Sequence, residues 1–369
     1  MRRLLQKWFK GPIIRLSNKY SSRPDAKRVH TALTDLYNSL IKTPGKRGLV
    51  IPFDAGKGKF VILSDQHKGA RNHADDFMLS EKNYLAALDY YHEQNYQYIN
   101  LGDSEELWEN GILSVIKYNK ATFAKEQLFL QNNAFIKIFG NHDLYWDNDP
   151  LAGIMLQQIY NQPVKIYEGL ILQTMVNNKP LSIYLTHGHQ GDMQSDGNWF
   201  SKWFVANVWG PLQAFLEINP NTPATNDHQK TLHNQIMYDW SSRQNNLLLI
   251  TGHTHQPVFR SLTHLERLYI DLERAEKAGE ANKAKQLQQQ INKLVQKGED
   301  KFTFPGYRPS YFNSGCCCFD DGDITGIEIS EGCMRLIKWE YSSTGISERF
   351  ILEEAKLQDI LTDLAVIPQ

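Results

Sequence analysis

The sequence of 369 residues has little cysteine, no long apolar run and no excess of charge of either sign. Three of its four cysteines are contiguous, Cys316 to Cys318, which indicates neither a disulfide framework nor a paired-cysteine zinc site. We expect these thiols to be buried strand residues in a reducing compartment. The net charge of −1 provides no general attraction to nucleic acid or membranes. The start of the chain lacks the apolar centre of a signal peptide, so we expect a cytoplasmic protein.

Residues 1–48 differ in composition from the rest of the chain. Up to His30 they carry nine basic residues against one acidic residue, Asp25. Aromatic and aliphatic residues are interleaved with the basic ones, which is typical of a helix that lies on an anionic membrane face. A solvated arm packed on the domain explains the pattern equally well. We therefore expect a basic amphipathic arm, with residues 1–28 either peripheral at the inner membrane face or packed on the protein.

From residue 49 onward, a short apolar run that ends in polar residues recurs five times. The runs are KFVILSDQH, YQYINLGD, AFIKIFGNHD, LSIYLTHGH and NNLLLITGHTH. Such runs are typical of buried strands, and helix-like stretches at 79–94 and 115–133 separate the first three. This alternation predicts an α/β fold whose reactive loops gather at the carboxyl ends of the strands.

Two stretches are predicted to be insertions into a domain that spans residues 49–352. Residues 193–245 begin with many large aromatic residues, and we expect a helical lid there. Residues 261–301 have apolar residues at helical spacing on both sides of Gly279, which predicts a hairpin of two antiparallel helices. The hairpin is expected to pack on itself or on a second chain. A C-terminal helix is predicted over residues 353–369.

The polar residues at the ends of the five runs form a set of candidate metal ligands. They are Asp65, His67, Asp103, Asn141, His187, His253 and His255. Carboxylates, imidazoles and an amide suit divalent transition metals such as Mn, Fe or Zn. One carboxylate can bridge two ions, and two ions can hold a hydroxide for in-line attack on phosphorus. The set therefore predicts a two-ion centre, in which His253 and His255 share one face of an extended segment.

The ordered motifs D-x-H, G-D-x-x-E, G-N-H-D, H-G-H and G-H-T-H resemble those of the calcineurin-like metallophosphoesterase superfamily, over residues 59–256. The resemblance implies a four-layer αββα sandwich of two mixed sheets flanked by helices, and a binuclear-metal phosphoesterase activity. It implies that the first ion is bound by Asp65, His67, Asp103 and His255. It implies that the second is bound by Asp103, Asn141, His187 and His253. His189 is the alternative to His187.

The resemblance also implies residues that act on the substrate. The histidine of G-N-H-D, here His142, would lie beside the phosphate and protonate or stabilise the leaving group, with Asp143 orienting it. A purely structural role is the alternative for His142. Lys68 and Arg71 follow the first ligands closely, so they are candidates for contact with a substrate phosphate, or else part of a solvated loop.

The stretch GDSEELW has the form G-D-x-x-E-x-W, similar to the UDP-diacylglucosamine pyrophosphohydrolases of lipid A synthesis, which also carry an aromatic lid. This similarity makes Glu106 and Trp203 candidate substrate contacts and favours a lipid-linked or nucleotide-sugar substrate. Those enzymes usually have G-N-R-D where this chain has His142, and they lack an insertion like 261–301.

Other functions are weaker alternatives. A soluble phosphomonoesterase and a phosphodiesterase or nuclease remain open, but no basic stripe accompanies the site motifs, so no nucleic acid partner is expected. A non-enzymatic metal-bound scaffold, with residues 261–301 as its partner surface, is disfavoured because the chain retains every expected ligand. The expected partners are a phosphorylated small molecule or lipid, an anionic membrane surface and a second copy of the chain.

Overall fold

The computed structural model describes residues 25–73, 75–191, 227–296, 308–342 and 345–365. The strands of these residues form two seven-stranded mixed sheets. Apolar side chains from both sheets share one core, and helices cover the outer faces. The αββα sandwich predicted from the sequence is confirmed.

The first sheet is built mainly from the second half of the chain. In spatial order its strands are β1 (Gly48–Pro52), β6 (Gly169–Val176), β7 (Lys179–Thr186), β8 (Leu247–Thr251), β11 (Tyr311–Asn313), β9 (Val258–Phe259) and β10 (Leu262–Thr263). β8 is parallel to both β7 and β11. The carboxyl ends of β7 and β8 therefore meet at the same edge of the sheet.

The second sheet combines a parallel and an antiparallel half. Its spatial order is β14 (Ser347–Lys356), β13 (Cys333–Tyr341), β12 (Ile324–Ser330), β2 (Phe60–Leu63), β3 (Gln97–Leu101), β4 (Phe135–Ile138) and β5 (Ile166–Tyr167). β2 through β5 are parallel, whereas β12, β13 and β14 run as an antiparallel meander that joins β2. The parallel half brings the loops after β2, β3 and β4 together.

The described residues contain ten α-helices and a short 3-10 helix at Asp76–Met78. In chain order the α-helices are α1 (Ala26–Lys42), α2 (Glu81–Glu93), α3 (Ile112–Tyr118), α4 (Lys120–Gln131), α5 (Tyr145–Asn148), α6 (Ala152–Tyr160), α7 (Asp227–Ser241), α8 (His264–Lys277), α9 (Ala281–Gln296) and α10 (Leu357–Leu364). Helices α1 and α7 cover the first sheet, and α2 and α4 cover the second.

The core follows the alternation of side chains along each strand. In β6, Leu170 and Leu172 point into the core between the sheets, whereas Ile171 packs against α1 and α7. In β2, Ile62 lies in the same central core and Val61 packs under α2. Because successive strand residues point to opposite faces, strands covered on both faces are apolar at every position.

Part of the predicted N-terminal arm is an integral layer of the fold. The side chain of Asp25 caps α1 by accepting from the backbone N–H of Arg28 at 2.9 Å. One face of the helix, which includes Leu33 and Leu36, is fully buried against the first sheet. Residues 26–42 are therefore packed on the domain, as one of the two alternatives for the arm expected, and residues 1–24 lie outside the described part of the chain.

Three further features differ from the sequence-based expectation. The predicted C-terminal helix begins at Leu357, because residues 347–356 pair with β13 as the edge strand β14. The C-terminal part of the predicted lid is α7, which packs as an outer layer helix. Residues 192–226 lie outside the described residues. The three contiguous cysteines are buried as expected, but they lie in the loop after β11 rather than in a strand.

Helices α8 and α9 form a hairpin beside the sandwich. Leu268, Leu272 and Ile291 are buried in the contact between the two helices, and Gly279 lies in the turn with a positive φ of 74°. Within the described ranges, no helix has both the length and the apolar character that a membrane crossing requires.

Candidate metal centre and active site

The loops at the carboxyl ends of five strands converge at one edge of the sandwich. They follow β2, β3, β4, β7 and β8, and they carry Asp65, His67, Asp103, Asn141, His187, His253 and His255. All of these side chains except that of His255 are buried, and His255 is partly exposed. The structure therefore brings together every residue that the sequence indicated as a metal ligand.

The backbone of these loops is held in an unfavourable region. Five of the seven residues have a positive φ between 49° and 69°, namely Asp65, His67, Asp103, His253 and His255. Side chains other than glycine rarely adopt this region, and such strain concentrates at functional sites. Gly102 directly precedes Asp103 with φ 95°, and a Cβ there would lie 2.7 Å from His187 Nδ1. Only glycine fits at this position.

The first cluster contains Asp65, His67 and His255. His67 Nε2 and His255 Nε2 lie 3.2 Å apart, and His255 Nε2 lies 3.3 Å from Asp65 Oδ1. Asp103 Oδ2 completes the cluster at 3.8 Å from His67 Nε2. Four donor atoms of two imidazoles and two carboxylates thus face one another.

The second cluster shares Asp103 with the first. His187 Nε2 lies 3.1 Å from Asp103 Oδ2 and 3.2 Å from Asn141 Oδ1. Ligand atoms of Asp103, His187 and His253 all lie within 4.8 Å of one another. Since the same oxygen of Asp103 faces both clusters, this carboxylate has the position that a bridging ligand requires.

The geometry favours His187 over its alternative His189. His187 Nδ1 lies 2.9 Å from the carbonyl of Leu101, which directs Nε2 toward Asp103. A backbone carbonyl on the far nitrogen is the usual partner of a metal-binding imidazole. His189 is also buried, with its ring 5.4 Å from that of His187, but it belongs to none of the metal-competent clusters formed by the described residues.

The residues present fit divalent ions. His253 Nε2 is buried, and no hydrogen-bond partner for it exists among the described residues. A buried polar atom without a partner is costly, so this nitrogen is explained if it binds a ligand. The Nε2 atoms of His67 and His255 face each other at 3.2 Å. An ion bound between them would use both nitrogens as ligands. The mixed oxygen and nitrogen donor set suits divalent metal ions.

The charges of the two clusters hold the carboxylates ionised. Burial alone would raise the pKa of Asp103, but His187 and His142 outweigh it and keep the pKa well below its usual range. Burial and the neighbouring His233 and His187 lower the pKa of His253 well below its ordinary value. Ionised carboxylates and a neutral imidazole are the protonation states that bind metal. Burial alone would lower the pKa of His187, but Asp103 and Asp65 outweigh it and raise the pKa to about 9, so an ion that binds there displaces a proton.

His142 lies beside the first cluster and is held by Glu106. Its Nδ1 lies 2.6 Å from Glu106 Oε2, and its ring stacks on Trp108 with centroids 4.1 Å apart. Glu106 Oε2 also lies 3.0 Å from His67 Nδ1. The side chain of His142 is 17% exposed. Glu106, which the sequence suggested as a substrate contact, is therefore shared between a candidate ligand and His142.

The expected pairing of Asp143 with the His142 ring is not what the structure shows. The Asp143 carboxylate accepts from the backbone N–H of Ser104 at 2.9 Å and of Gly140 at 2.6 Å. Burial and the nearby Glu105 raise the pKa of Asp143 to about 6. Asp143 thus ties the loop after β4 to the loop after β3, and Glu106 takes the orienting position.

Lys68 is not placed to contact a substrate. It is fully buried, with Nζ 2.7 Å from Glu126 Oε1 and 3.1 Å from Glu105 Oε1. Lys137 Nζ lies 2.9 Å from the same Glu105 oxygen, and Trp146 Nε1 donates to the other at 2.7 Å. No pattern in the sequence indicates this buried ionic network. Through Lys68 and Glu105, the network joins the loops after β2 and β3, which carry candidate metal ligands, to Glu126 on α4 and Lys137 on β4.

The remaining residues suggested as substrate contacts are Arg71 and Trp203. Arg71 pairs with Glu81, and its side chain is 22% exposed, so it lies in a partly buried ion pair near the first loop. Trp203 lies outside the described residues.

The sequence profile of the calcineurin-like phosphoesterases matches residues 58–257, more than half of the chain. The chain belongs to the calcineurin-like phosphoesterase family. Membership identifies it as a metal-dependent phosphoester hydrolase, and the matched range includes all seven candidate ligands of this phosphoesterase. No curated protein sequence matches the chain.

Three solved structures are similar to the phosphoesterase at low sequence identity. A single mutant of Vps29 from Entamoeba histolytica is 12% identical, with 80% of this chain and 99% of that chain covered and a TM-score of 0.30. Vps29 from Cryptosporidium parvum is 11% identical, with 81% and 98% covered and a TM-score of 0.32. A protein named as a 5′-nucleotidase from Staphylococcus aureus, in complex with α-ketoglutarate, is 12% identical, with 83% and 57% covered and a TM-score of 0.30.

Proposed function

We propose that this phosphoesterase hydrolyses a phosphoester or pyrophosphate bond with two divalent ions, held by the two clusters. The observation that carries the proposal is the shared carboxylate, since Asp103 Oδ2 faces His67 on one side and His187 on the other, at 3.8 and 3.1 Å. When bound, a pair of ions supplies a nucleophile at neutral pH and stabilises charge on the attacking and leaving oxygens.

The chain fixes both acidic ligands before any ion binds. Asp103 Oδ1 accepts from the backbone N–H of His142 at 2.8 Å. Asp65 accepts from the backbone N–H of His253 at 3.2 and 3.1 Å through its two oxygens. These bonds orient each carboxylate, and such support of the ligands strengthens metal binding.

His142 is suited to act on the leaving group. With Nδ1 bound to Glu106, its Nε2 is left for the substrate. Burial alone would lower the pKa of His142, but Glu106 and Asp103 outweigh it and raise the pKa to about 9. The imidazole is then protonated at neutral pH, so it can donate a proton to the leaving oxygen or stabilise its charge.

For the substrate, we propose a lipid-linked or nucleotide-sugar phosphate. Three features support this class: the G-D-x-x-E-x-W stretch, the aromatic residues of 199–215, and the basic residues of 1–28, which would hold the enzyme at an anionic membrane face. Trp108 of that stretch stacks on His142, and an aromatic surface next to the proposed acid would suit such a substrate. Trp203 is proposed to contact the apolar part of the substrate.

A soluble phosphomonoester or phosphodiester is the second candidate substrate. It is favoured by His142 itself, because the pyrophosphohydrolases that the G-D-x-x-E-x-W stretch resembles usually have arginine there. A histidine can transfer a proton to a leaving oxygen at neutral pH, whereas an arginine remains charged throughout.

The test is to compare hydrolysis of a chromogenic phosphomonoester, a chromogenic phosphodiester and a UDP-linked diacylated sugar, each with added Mn²⁺. We expect metal-dependent turnover, with the lipid-linked pyrophosphate preferred. His142→Ala serves as the matched control, because it should keep the metal and lose rate. Absence of turnover for all three substrates in protein that holds its ions would contradict the proposed function and favour a scaffold.

A further inference from the structure

The loop between β11 and β12, residues 314–323, lies beyond the end of the family match and yet supports the first cluster. The backbone N–H of Cys317 donates to the carbonyls of Ser64 at 3.2 Å and of Asp65 at 3.1 Å. Ser314 Oγ lies 2.8 Å from Ser64 Oγ, which in turn donates to the Asp65 carboxylate. This loop therefore fixes both the backbone and the carboxylate of a proposed ligand.

A cysteine of the same loop contacts the last ligand of the first cluster. Cys318 Sγ lies 3.6 Å from His255 Nδ1. The other ring nitrogen, Nε2, faces Asp65 at 3.3 Å and His67 at 3.2 Å. The two nitrogens of one imidazole thus face different groups, the thiol on one side and the proposed ion ligands on the other. Cys318 is 8% exposed, so bulk water does not readily replace the sulfur.

An imidazole that binds an ion through Nε2 carries its proton on Nδ1, and this N–H needs an acceptor. Metal-binding histidines almost always donate it to a carboxylate, a backbone carbonyl or water, which fixes the tautomer and the ring orientation. His187 follows this rule through the carbonyl of Leu101, at 2.9 Å. For His255, the atom at hydrogen-bond distance from Nδ1 is Cys318 Sγ, at 3.6 Å. The buried thiol of Cys316, two residues earlier, also interacts with this imidazole.

We propose that Cys318 is a positioning residue for the first ion, whose sulfur accepts the Nδ1–H of His255 and holds Nε2 toward the metal. The inference rests on the proposed two-ion function. It predicts that the affinity of the first ion depends on a thiol outside the motifs of the site, whereas the affinity of the second does not.

Direct coordination by sulfur is the rival arrangement. His67, His255 and Cys318 do form one of the metal-competent clusters of the described residues. An ion bound to Cys318 and to the adjacent Nδ1 of His255 would, however, leave Nε2 facing Asp65 without an ion between them. The geometry therefore favours a hydrogen bond over a ligand bond for this sulfur.

The test uses the full-length protein with three substitutions: Cys318→Ala, Cys318→Ser and, as a control, Cys333→Ala. Cys333 lies on β13, opposite Lys356 of β14. Mn²⁺ titration should show two ions for the unaltered protein. Cys318→Ala should weaken one of them by about 10–100-fold, the usual effect of losing such a partner. In Cys318→Ser the hydroxyl can accept the same hydrogen bond, so the affinity for that ion should fall by a smaller factor. In Cys333→Ala both Mn²⁺ affinities should be unchanged.

Two further readouts do not depend on turnover. In protein loaded with diamagnetic Zn²⁺, nitrogen-15 spectra should show His255 protonated on Nδ1 and not on Nε2, and Cys318→Ala should alter the Nδ1–H signal. With Co²⁺, the unaltered protein should lack an intense sulfur-to-metal absorption band.

Wild-type Mn²⁺ affinities in Cys318→Ala, or a sulfur-to-cobalt band that Cys318→Ser removes, would overturn the inference while leaving the proposed function intact. Two bound ions without hydrolysis of any phosphoester would contradict the proposed function instead.

Discussion

Replacement of Lys68 by methionine tests whether the buried ionic network stabilises the protein around the loops that carry the candidate metal ligands. Lys68, Glu105, Glu126 and Lys137 have fully buried side chains, and together they carry two positive and two negative charges. Burial would lower the pKa of Lys68, but Glu126 and Glu105 outweigh it and raise the pKa. Lys68→Met therefore leaves one uncompensated buried negative charge.

The expected loss of stability follows from that charge. Removing one partner of a buried pair typically lowers the free energy of unfolding by about 3–5 kcal/mol. Tyr84 and Tyr160 still donate to Glu126, at 2.8 and 2.6 Å, so we expect a loss near the lower end of that range. In Lys68→Met/Glu126→Gln the charge is removed and the amide can still bond the two hydroxyls. The double variant should therefore recover most of the loss.

Urea unfolding followed by tryptophan fluorescence measures both variants. Lys120→Met, at an exposed position at the start of α4, is the control and should lie within about 0.5 kcal/mol of the unaltered protein. A loss below about 1 kcal/mol for Lys68→Met, or a double variant no more stable than the single one, would refute the reasoning from buried charge. An unchanged free energy of unfolding with a raised KM would instead indicate that Lys68 contacts the substrate.

Three other predictions concern the proposed acid His142, the hairpin of α8 and α9, and the substrate. In Glu106→Gln, the carboxylate that raises the pKa of His142 to about 9 is lost, so the pH above which activity falls should move to lower values; an unmoved pH–rate profile contradicts this role. Replacing residues 264–296 by a Gly/Ser linker should leave metal content intact and shift the oligomeric state measured by light scattering; loss of metal in a folded variant would show that the hairpin supports the site. For lipid phosphates, kcat/KM should rise with acyl length, at about 0.8 kcal/mol for each buried methylene; a flat series that Trp203→Ala leaves unchanged excludes a lipid substrate.

The ligand loops could be predicted because each candidate ligand lies at the end of an apolar run, whereas the strand order could not. The rule that parallel strands end at one edge of a sheet brings together the loops after β2, β3 and β4, and separately those after β7 and β8. That these two groups face each other follows from the packing of the two sheets, which only the resemblance implied. The extent of α1 was missed because basic composition dominated the segment. Its buried residues, among them Leu33, nevertheless recur at helical spacing.

The parts of the site that could not be predicted depend on contacts between distant residues. Lys68 follows a ligand, as a phosphate-binding lysine would, and its partner Glu126 lies 58 positions later on α4. Two carboxylates, Glu106 and Asp143, are close to His142 in sequence or in space, and only the geometry shows which one meets the ring. The contact of Cys318 with His255 likewise joins loops that sequence spacing does not relate.

The central claim is that Asp103 joins two ions in one site, and metal analysis of purified protein tests it most directly. We predict two divalent ions per chain in active protein, because Asp103 Oδ2 faces both His67 and His187. Asp103→Asn and His253→Ala should each lose bound metal and nearly all turnover, whereas His142→Ala should keep both ions and lose rate alone. Fully active protein with at most one ion per chain, unaffected by added metal, would contradict the account.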